Sequence, residues 1–384
     1  MISLFILGLL LLMILWNRYY ATHWNRNLNV SLNFLQNYAY AGEQAQMTEQ
    51  IENHKRLMLP VLEVAFHMDK RLSFHDCENT NVSDFVYKRD IFALLGNQRV
   101  TRTLTLDCTK RGYYRIDESY LTSFSMLHKR RFSMECPADT ELYVYAARTD
   151  VSDILIACER LMGSIQCAKR LYEDPFAFSS IREYTVTDPM KTINWKASAR
   201  TGDLMVNTYE STLTEKVMIY LDVEDSGILK YEYLVEESVS IASSLTQRLI
   251  ARGMEVGICV NADTNTDMHI TANQNNESEG NEHTTLLDPA GGKKQLNNIE
   301  RMLAKCGNDE KVIPFADLLT SSDPSEDTVM IVISKNSALY QSAIENYIGK
   351  SRQAIWVIPF TRGDSCNVRT LGNIHLIKRE VERS

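Results

Sequence analysis

The chain has 384 residues, 44% of them hydrophobic, with 49 acidic against 41 basic side chains and a net charge of −8. That is enough apolar material for two domains, and the acidic balance excludes a protein built mainly to neutralise nucleic-acid phosphate. Eight cysteines (Cys77, Cys108, Cys136, Cys158, Cys167, Cys259, Cys306 and Cys366) are scattered without a C-x-x-C pair, which reads as reduced thiols rather than a disulfide framework.

Residues 1–16 are apolar and carry no charged side chain. At ~1.5 Å per residue they fall a little short of a ~30 Å hydrocarbon core, and Asn17, Tyr19 and Tyr20 are suited to complete the span at the interface. The expectation is a transmembrane helix over residues 1–20. A cleaved signal peptide is the competing reading, but there is no basic start and no small-x-small site before Arg18. Arg18 and Arg26 follow the segment, so the positive-inside bias puts the later residues in the cytoplasm.

Between residues 29 and 147, short runs alternate apolar and polar side chains, as at 62–67, 100–106, 112–116 and 141–146. They predict strands of a small antiparallel β-sandwich. His75, Cys77, Cys108 and Cys136 do not have structural zinc spacing, and no site is expected here. Residues 151–172 repeat apolar positions at 154, 157, 161, 165 and 168, which predicts a packed linker helix.

Residues 180–210 are the densest stretch in charged and aromatic side chains. Residues 182–186 read as a strand, Asp188-Pro189 as a helix start, and 190–200 as a short helix. Ile193 and Ala197 then share one side, Lys196 and Arg200 another. Gly202 serves as its C-terminal cap, and 204–210 return to a strand. The charged residues have two readings. Either Arg182, Asp188, Lys196 and Arg200 form a docking face with Trp195 as its aromatic anchor, or they are structural. In the structural case Asp188 caps the helix, Arg200 pairs with Asp188 or Asp203, and Trp195 fills a seam between domains. The size of Trp favours the structural reading for Trp195, as capping does for Asp188. Lys191 and Lys196 fit a solvated face equally well.

From 216 onwards, continuous apolar strands (216–223, 255–260, 328–334, 353–360, 374–377) alternate with helices (231–252, 294–305, 339–348). This predicts an α/β unit over 216–384 with a mainly parallel sheet covered on both faces. The polar stretch 261–292 reads as a mobile loop around one short strand at 269–271.

The string Arg182-x-Tyr184…Asp188-x-x-Lys191-x-Ile193-x-Trp195-x-x-Ser198-Ala199-Arg200 resembles the signature of the bacterial family called domain of unknown function number 58. Its usual pattern is R-x-Y-x-x-G-D-x-x-R-x-I-x-W-x-x-[ST]-A-R. Thr187 stands in place of Gly, and Lys191 in place of Arg, keeping the charge but losing a bidentate fork. The resemblance implies an immunoglobulin-like sandwich followed by a von Willebrand factor A-like doubly wound domain, both anchored at the bacterial inner membrane. Family members usually carry two membrane helices, and this sequence shows one. They are typically encoded beside a MoxR-type AAA+ ATPase, which is the implied partner. Arg182, Tyr184, Asp188, Lys191, Trp195, Lys196 and Arg200 are then the expected partner-binding residues.

A-type domains often bind a divalent ion through Asp-x-Ser-x-Ser, completed by a Thr and an Asp from later loops, because such ions need converging hard oxygens. Here the counterpart is Asp222-x-Glu224-x-Ser226, and Lys335 stands where the remote Asp is expected. No cofactor is therefore expected, with Mg²⁺ on Asp222, Glu224 and Ser226 as the alternative. The run 263–267 imitates the opening of a calcium loop but lacks its Gly and terminal Glu. There is no G-x-x-x-x-G-K-[ST], G-x-S-x-G or H-E-x-x-H, and no reaction is expected. The expectation is a non-enzymatic, single-pass scaffold or adaptor that serves envelope complexes with the ATPase. The alternative is a metal-dependent adhesion module on the outer face.

Overall fold

The computed structural model describes residues 2–75, 80–82, 85–124, 130–169, 178–186, 188–209, 216–225, 230–262, 285–306, 312–321, 328–335, 337–349, 353–362, 368 and 372–382. The chain forms two units, residues 1–148 with 300–307 and residues 149–299 with 308–384.

The first unit begins with α1 (Ile2–His23), 22 residues or ~33 Å of helix, longer than the sequence predicts. Its leucines are exposed, and Leu4–His23 is long and apolar enough to cross a membrane. Its end is held: Tyr20 and Trp24 are buried with Val30, Leu62 and Leu121, and the Tyr20 hydroxyl lies 2.7 Å from Ser123 Oγ. Ten strands follow: β1 (Leu28–Phe34), β2 (Tyr38–Tyr40), β3 (Gln44–Asn53), β4 (Leu59–Asp69), β5 (Leu72–Phe74), β6 (Thr80–Val82), β7 (Phe85–Leu94), β8 (Gln98–Cys108), β9 (Gly112–Phe124) and β10 (Arg131–Tyr145). They make two sheets, in the orders β1-β3-β8-β5 and β2-β10-β9-β4-β7-β6. Alternation puts Ala45, Met47, Leu104 and Leu106 of one sheet into a core with Phe66, Val86, Ile116 and Leu142 of the other. This is the β-sandwich that the alternation predicts.

Its interior also holds charge. Asp90, fully buried on β7, sits 2.8 Å from Arg102 Nη1 and 3.8 Å from Lys88 Nζ. Glu49, opposite Arg102 in the β3–β8 ladder, has no hydrogen-bond partner for either carboxylate oxygen. Burial, reinforced by Asp90 and opposed by Arg102 and Lys88, pushes its carboxyl up to about 8, so Glu49 is mostly protonated at neutral pH. Glu49 falls in the inward alternation of Ala45, Met47 and Ile51, and only the fold shows that Asp90, Arg102 and Lys88 act on it.

The second unit contains α2 (Ser152–Lys169), β11 (Phe178–Glu183), α3 (Trp195–Thr201), β12 (Met205–Tyr209), β13 (Lys216–Leu221), α4 (Glu232–Ala251) and β14 (Glu255–Val260). It continues with β15 (Thr285–Ala290), α5 (Gly292–Lys305, whose residues from Glu300 on count with the first unit), α6 (Phe315–Ser321), β16 (Thr328–Ile333), α7 (Ser337–Ile348), β17 (Ala354–Thr361) and β18 (Ile374–Val381). Six strands form one sheet in the order β15-β14-β13-β16-β17-β18. All its neighbours are parallel except β15, which runs antiparallel to β14. On one face Tyr220, Val332 and Trp356 pack with Phe315 of α6 and Ile344 of α7; α4 and α2 lie against strands of the same sheet.

Three expectations change. The stretch 261–292 is not all loop, because Thr285–Ala290 pairs along β14 as an edge strand. Gly257 admits it: a Cβ there would lie 2.7 Å from Pro289 N and 2.8 Å from the Leu287 carbonyl. The strand expected at 269–271 lies outside the described residues, as does the 263–267 run. Helix α6 was not anticipated from the sequence. Helix α2 buries Ile154, Leu155, Cys158 and Met162 and packs on β16 and β17, so it covers the sheet rather than merely connecting two parts. Cys108, Cys136, Cys158, Cys259 and Cys306 are free thiols. Burial pushes Cys158 and Cys259 up to about 12, which makes them poor nucleophiles. The side chains of Cys77, Cys167 and Cys366 lie outside the described residues.

Candidate functional site

The cassette at 180–210 is a hairpin, β11 against β12, with Arg182 opposite Val206 and Glu183 opposite Met205. The single helix expected over 190–200 is broken. Residues 190–192 form one 3-10 turn, Ile193 returns to extended backbone, and α3 starts at Trp195. The cause is burial of Ile193, which bridges to the buried Val206. Asn194 then caps α3, its Oδ1 accepting from the Ala197 N–H at 3.0 Å. Gly202 closes α3 in the left-handed region, at φ 84°, as expected.

Asp188 is therefore not a helix cap. Its carboxylate accepts two Arg182 N–H groups at 2.6 and 2.7 Å, and the Thr185 N–H and hydroxyl at 2.9 and 2.8 Å. The bidentate Arg182 contact, with Thr185, holds the Asp188 carboxyl well below the usual carboxylate range. Arg182, rather than Arg200, is its partner. Tyr184 is half-buried, and its N–H bonds to the Leu204 carbonyl at 2.8 Å. Lys191, Lys196 and Arg200 are exposed. Trp195 is 66% exposed, and Met190 (72%) and Val186 (95%) stand in solvent with it. Thr187, the position that departs from the Gly of the signature, lies outside the described residues.

The second cluster lies at the carboxyl ends of β13, β14 and β16, where the strand order reverses, which in doubly wound sheets is the usual ligand crevice. Asp222 Oδ1 accepts the Glu224 N–H and Asn261 Nδ2–H, both at 3.0 Å, and Oδ2 accepts the Ser334 hydroxyl at 2.7 Å. Asn261 Oδ1 in turn accepts the Val223 N–H at 2.8 Å. Burial pushes the Asp222 carboxyl up to about 6, although Ser334, the Glu224 N–H and Asn261 each pull it down. Lys335 Nζ sits 2.5 Å from Asp225 Oδ1, and Asp225 Oδ2 accepts the Tyr231 N–H at 2.7 Å. The Tyr340 hydroxyl donates to Glu224 Oε2.

These donors do not fit a divalent ion. Glu224 and Asp225 are committed to protein donors, the Lys335 ammonium already supplies a positive charge beside them, and Ser226 lies outside the described residues. Among the described residues, no three His, Cys, Asp or Glu side chains are placed to hold a metal. Asp222 and Lys335 were visible in the sequence; Asn261, Asp225 and Tyr340 were missed. Asn261 directly follows an apolar parallel strand, the same signal that singled out Asp222.

A shallow groove of about 470 Å³ on the outer face of the larger sandwich sheet is lined by His67, Tyr87, Arg89, Ile91 and Tyr120, among others. No nucleophile–base pair marks it as reactive.

Residues 180–321 match the model of the family described as Protein of unknown function DUF58. That match covers the cassette, β13, β14, Asp222 and Asn261 but stops short of Ser334, Lys335 and Tyr340, and it supports the resemblance drawn from the signature. No curated protein matches the chain. Among solved structures, the chain is similar to the CARDB domain of a Pyrococcus furiosus protein in complex with di-metal ions, at 13% identity and a TM-score of 0.20, covering 30% of this chain and 93% of that one. It is also similar to a non-cellulosomal cohesin from Archaeoglobus fulgidus (10%, 0.22, 34% and 97%). A third is the cohesin ScaC of Acetivibrio cellulolyticus in complex with a dockerin (14%, 0.23, 30% and 98%). Likenesses at these values say nothing about what this chain does.

Proposed function

We propose that the protein is a membrane-anchored, non-enzymatic scaffold or adaptor that works with a MoxR-type AAA+ ATPase in assembling or maturing envelope complexes. The observation that carries this reading is the inverted cassette, in which Asp188 and Arg182 pair with each other while Trp195, Met190 and Val186 stand in solvent. An exposed Trp among large apolar side chains, on a hydrogen-bonded frame, has the makeup of a protein-docking hot spot. In this reading Trp195 and Met190 anchor the partner, and Lys191, Lys196 and Arg200 form a basic rim. Arg182, Asp188 and Tyr184 hold the frame.

The anchor is α1. Removing α1 whole would strip Tyr20 from the sandwich core and its bond to Ser123, which favours retention of its last turns. Arg18 near the end of α1 and Arg26 just after it favour the cytoplasmic side of the bacterial inner membrane for the soluble part. We take the sandwich as immunoglobulin-like and the parallel sheet, with its antiparallel edge strand, as von Willebrand factor A-like. The experiment is a pull-down of the tagged full chain from a detergent extract of its source cells, with ATP present. The expected result is a co-purified AAA+ ATPase that Trp195→Ala with Met190→Ala no longer retains. Recovery of no AAA+ protein by the unaltered chain would overturn the proposal.

A further inference from the structure

The end of the sandwich from which α1 emerges differs in charge from the chain as a whole. Three connections meet there, residues 23–28, 54–58 and 95–97, beside Phe124 and Arg131, which pair at the ends of β9 and β10. Backbone bonds fix this meeting: the His54 N–H to the Asn27 carbonyl at 3.0 Å, and the Asn97 N–H to the Lys55 carbonyl at 2.9 Å. Asn53 Nδ2 ties it further, donating to the Leu57 and Leu95 carbonyls at 2.9 Å each. Arg26, Arg56, Arg99, Arg130 and Arg131 are all exposed at this end, in a chain whose net charge is −8. The nearby acids are largely buried and already paired: Glu52 with Arg99 at 2.5 Å and His54 at 2.8 Å, Glu63 with Arg131 at 3.6 Å. Leu95, 65% exposed, and Met58 project among the arginines.

Helix α1 is the second, independent observation. Tyr20 and Trp24 share one core cluster with Leu62, Leu94 and Leu121, so the helix and this end of the sandwich are one piece. If α1 crosses a bilayer, these loops lie at the lipid–water boundary, within a Debye length of the headgroups.

We propose that this end of the sandwich is a lipid-facing surface. Leu95 and Met58 enter the headgroup layer of the bilayer that α1 crosses, and Arg26 and Arg56 bind the headgroups of anionic lipids. The surface rests on the reading of α1 as an anchor. It makes the sandwich a part of the anchor, oriented on the membrane by apolar contact and charge together.

The test uses the full chain in phosphatidylcholine vesicles with and without phosphatidylglycerol, and brominated lipid as the quencher. Leu95→Trp places a reporter on the surface, and Leu35→Trp places one at the opposite end of β1, where Leu35 is also exposed. In phosphatidylglycerol vesicles the emission added by Leu95→Trp is expected to be quenched at least twofold, and that added by Leu35→Trp not at all. Arg26→Glu with Arg56→Glu, neither of which breaks an ion pair in the structure, is expected to remove at least half of the quenching at position 95. Vesicle flotation of the same samples separates the two ideas. A chain that fails to float overturns both anchor and surface, whereas a floating chain whose position 95 is as unquenched as position 35 overturns the surface alone. Quenching undiminished by the charge reversals overturns the assignment of the arginines to anionic headgroups.

Discussion

The cassette and the carboxyl end of the parallel sheet use the same residue types in opposite ways. Around Asp222, among the described residues, every carboxylate is met by a protein donor, Lys335, Asn261, Ser334 or Tyr340, where a doubly wound fold usually holds a ligand. In the cassette the charges also pair, but at the surface, and the large apolar groups are left outside. A carboxylate cluster at a strand end suggests chemistry and a Trp-bearing helix suggests packing; here the first is structural and the second is presented to solvent. The two carboxyls carry the same contrast. That of Asp222 is pushed up by burial, and that of Asp188 is held down by Arg182.

The largest test of the contrast is Lys335→Met, which leaves Asp225 largely buried without its cation and is expected to destabilise the second unit by about 4 kcal/mol. The buried Trp356 reports this directly as a lower urea midpoint. The pH dependence comes next. Burial pushes the Asp222 carboxyl from its ordinary 3.8 up to about 6 in the folded state. The folded state therefore binds the extra proton, and the stability it lends is whole below pH 4 and lost as pH rises through 6. The loss is about 3 kcal/mol, and Asp222→Asn is expected to flatten it. Glu49 continues the same trend in the sandwich up to about 8, so Glu49→Gln is the control that isolates Asp222. Asp188 has the opposite sign, and acidification below the ordinary carboxylate range loosens the cassette.

Trp195→Ala is expected to leave folding stability within about 0.5 kcal/mol yet to weaken partner binding more than tenfold by titration. Lys196→Glu and Arg200→Glu, on the rim, should cost only a few-fold, and less at high salt. Smallest of all, added Mg²⁺ is expected to leave the melting temperature unchanged, because Lys335 and Tyr340 already occupy Asp225 and Glu224. A rise in melting temperature would reinstate the divalent-ion alternative.

The periodic signals were the most legible. Alternation in 100–106 marks β8, and the unbroken apolar runs at 216–223 and 328–334 mark neighbouring parallel strands. Thr285–Ala290 was hidden because an edge strand with a Pro needs only one neighbour, and Gly257, which admits that neighbour, is distant in sequence. The break at Ile193 was hidden for a related reason: its partner Val206 lies beyond the helix that local propensity favoured. The inward position of Glu49 follows from its alternation with Ala45, Met47 and Ile51, but its charged surroundings do not, because Lys88, Asp90 and Arg102 come from other strands. Trp195 is exposed although its size favours burial, because residue type predicts average burial, whereas surface presentation depends on which face the hairpin leaves uncovered.

The most direct measurement replaces Trp195 with a photo-crosslinking amino acid in the full chain, irradiates living source cells, and identifies the adduct by mass spectrometry. The expected result is a covalent adduct to an AAA+ ATPase that is lost when the crosslinker is moved to the buried neighbour Val206. Adducts confined to this chain itself, or none at all, would contradict it.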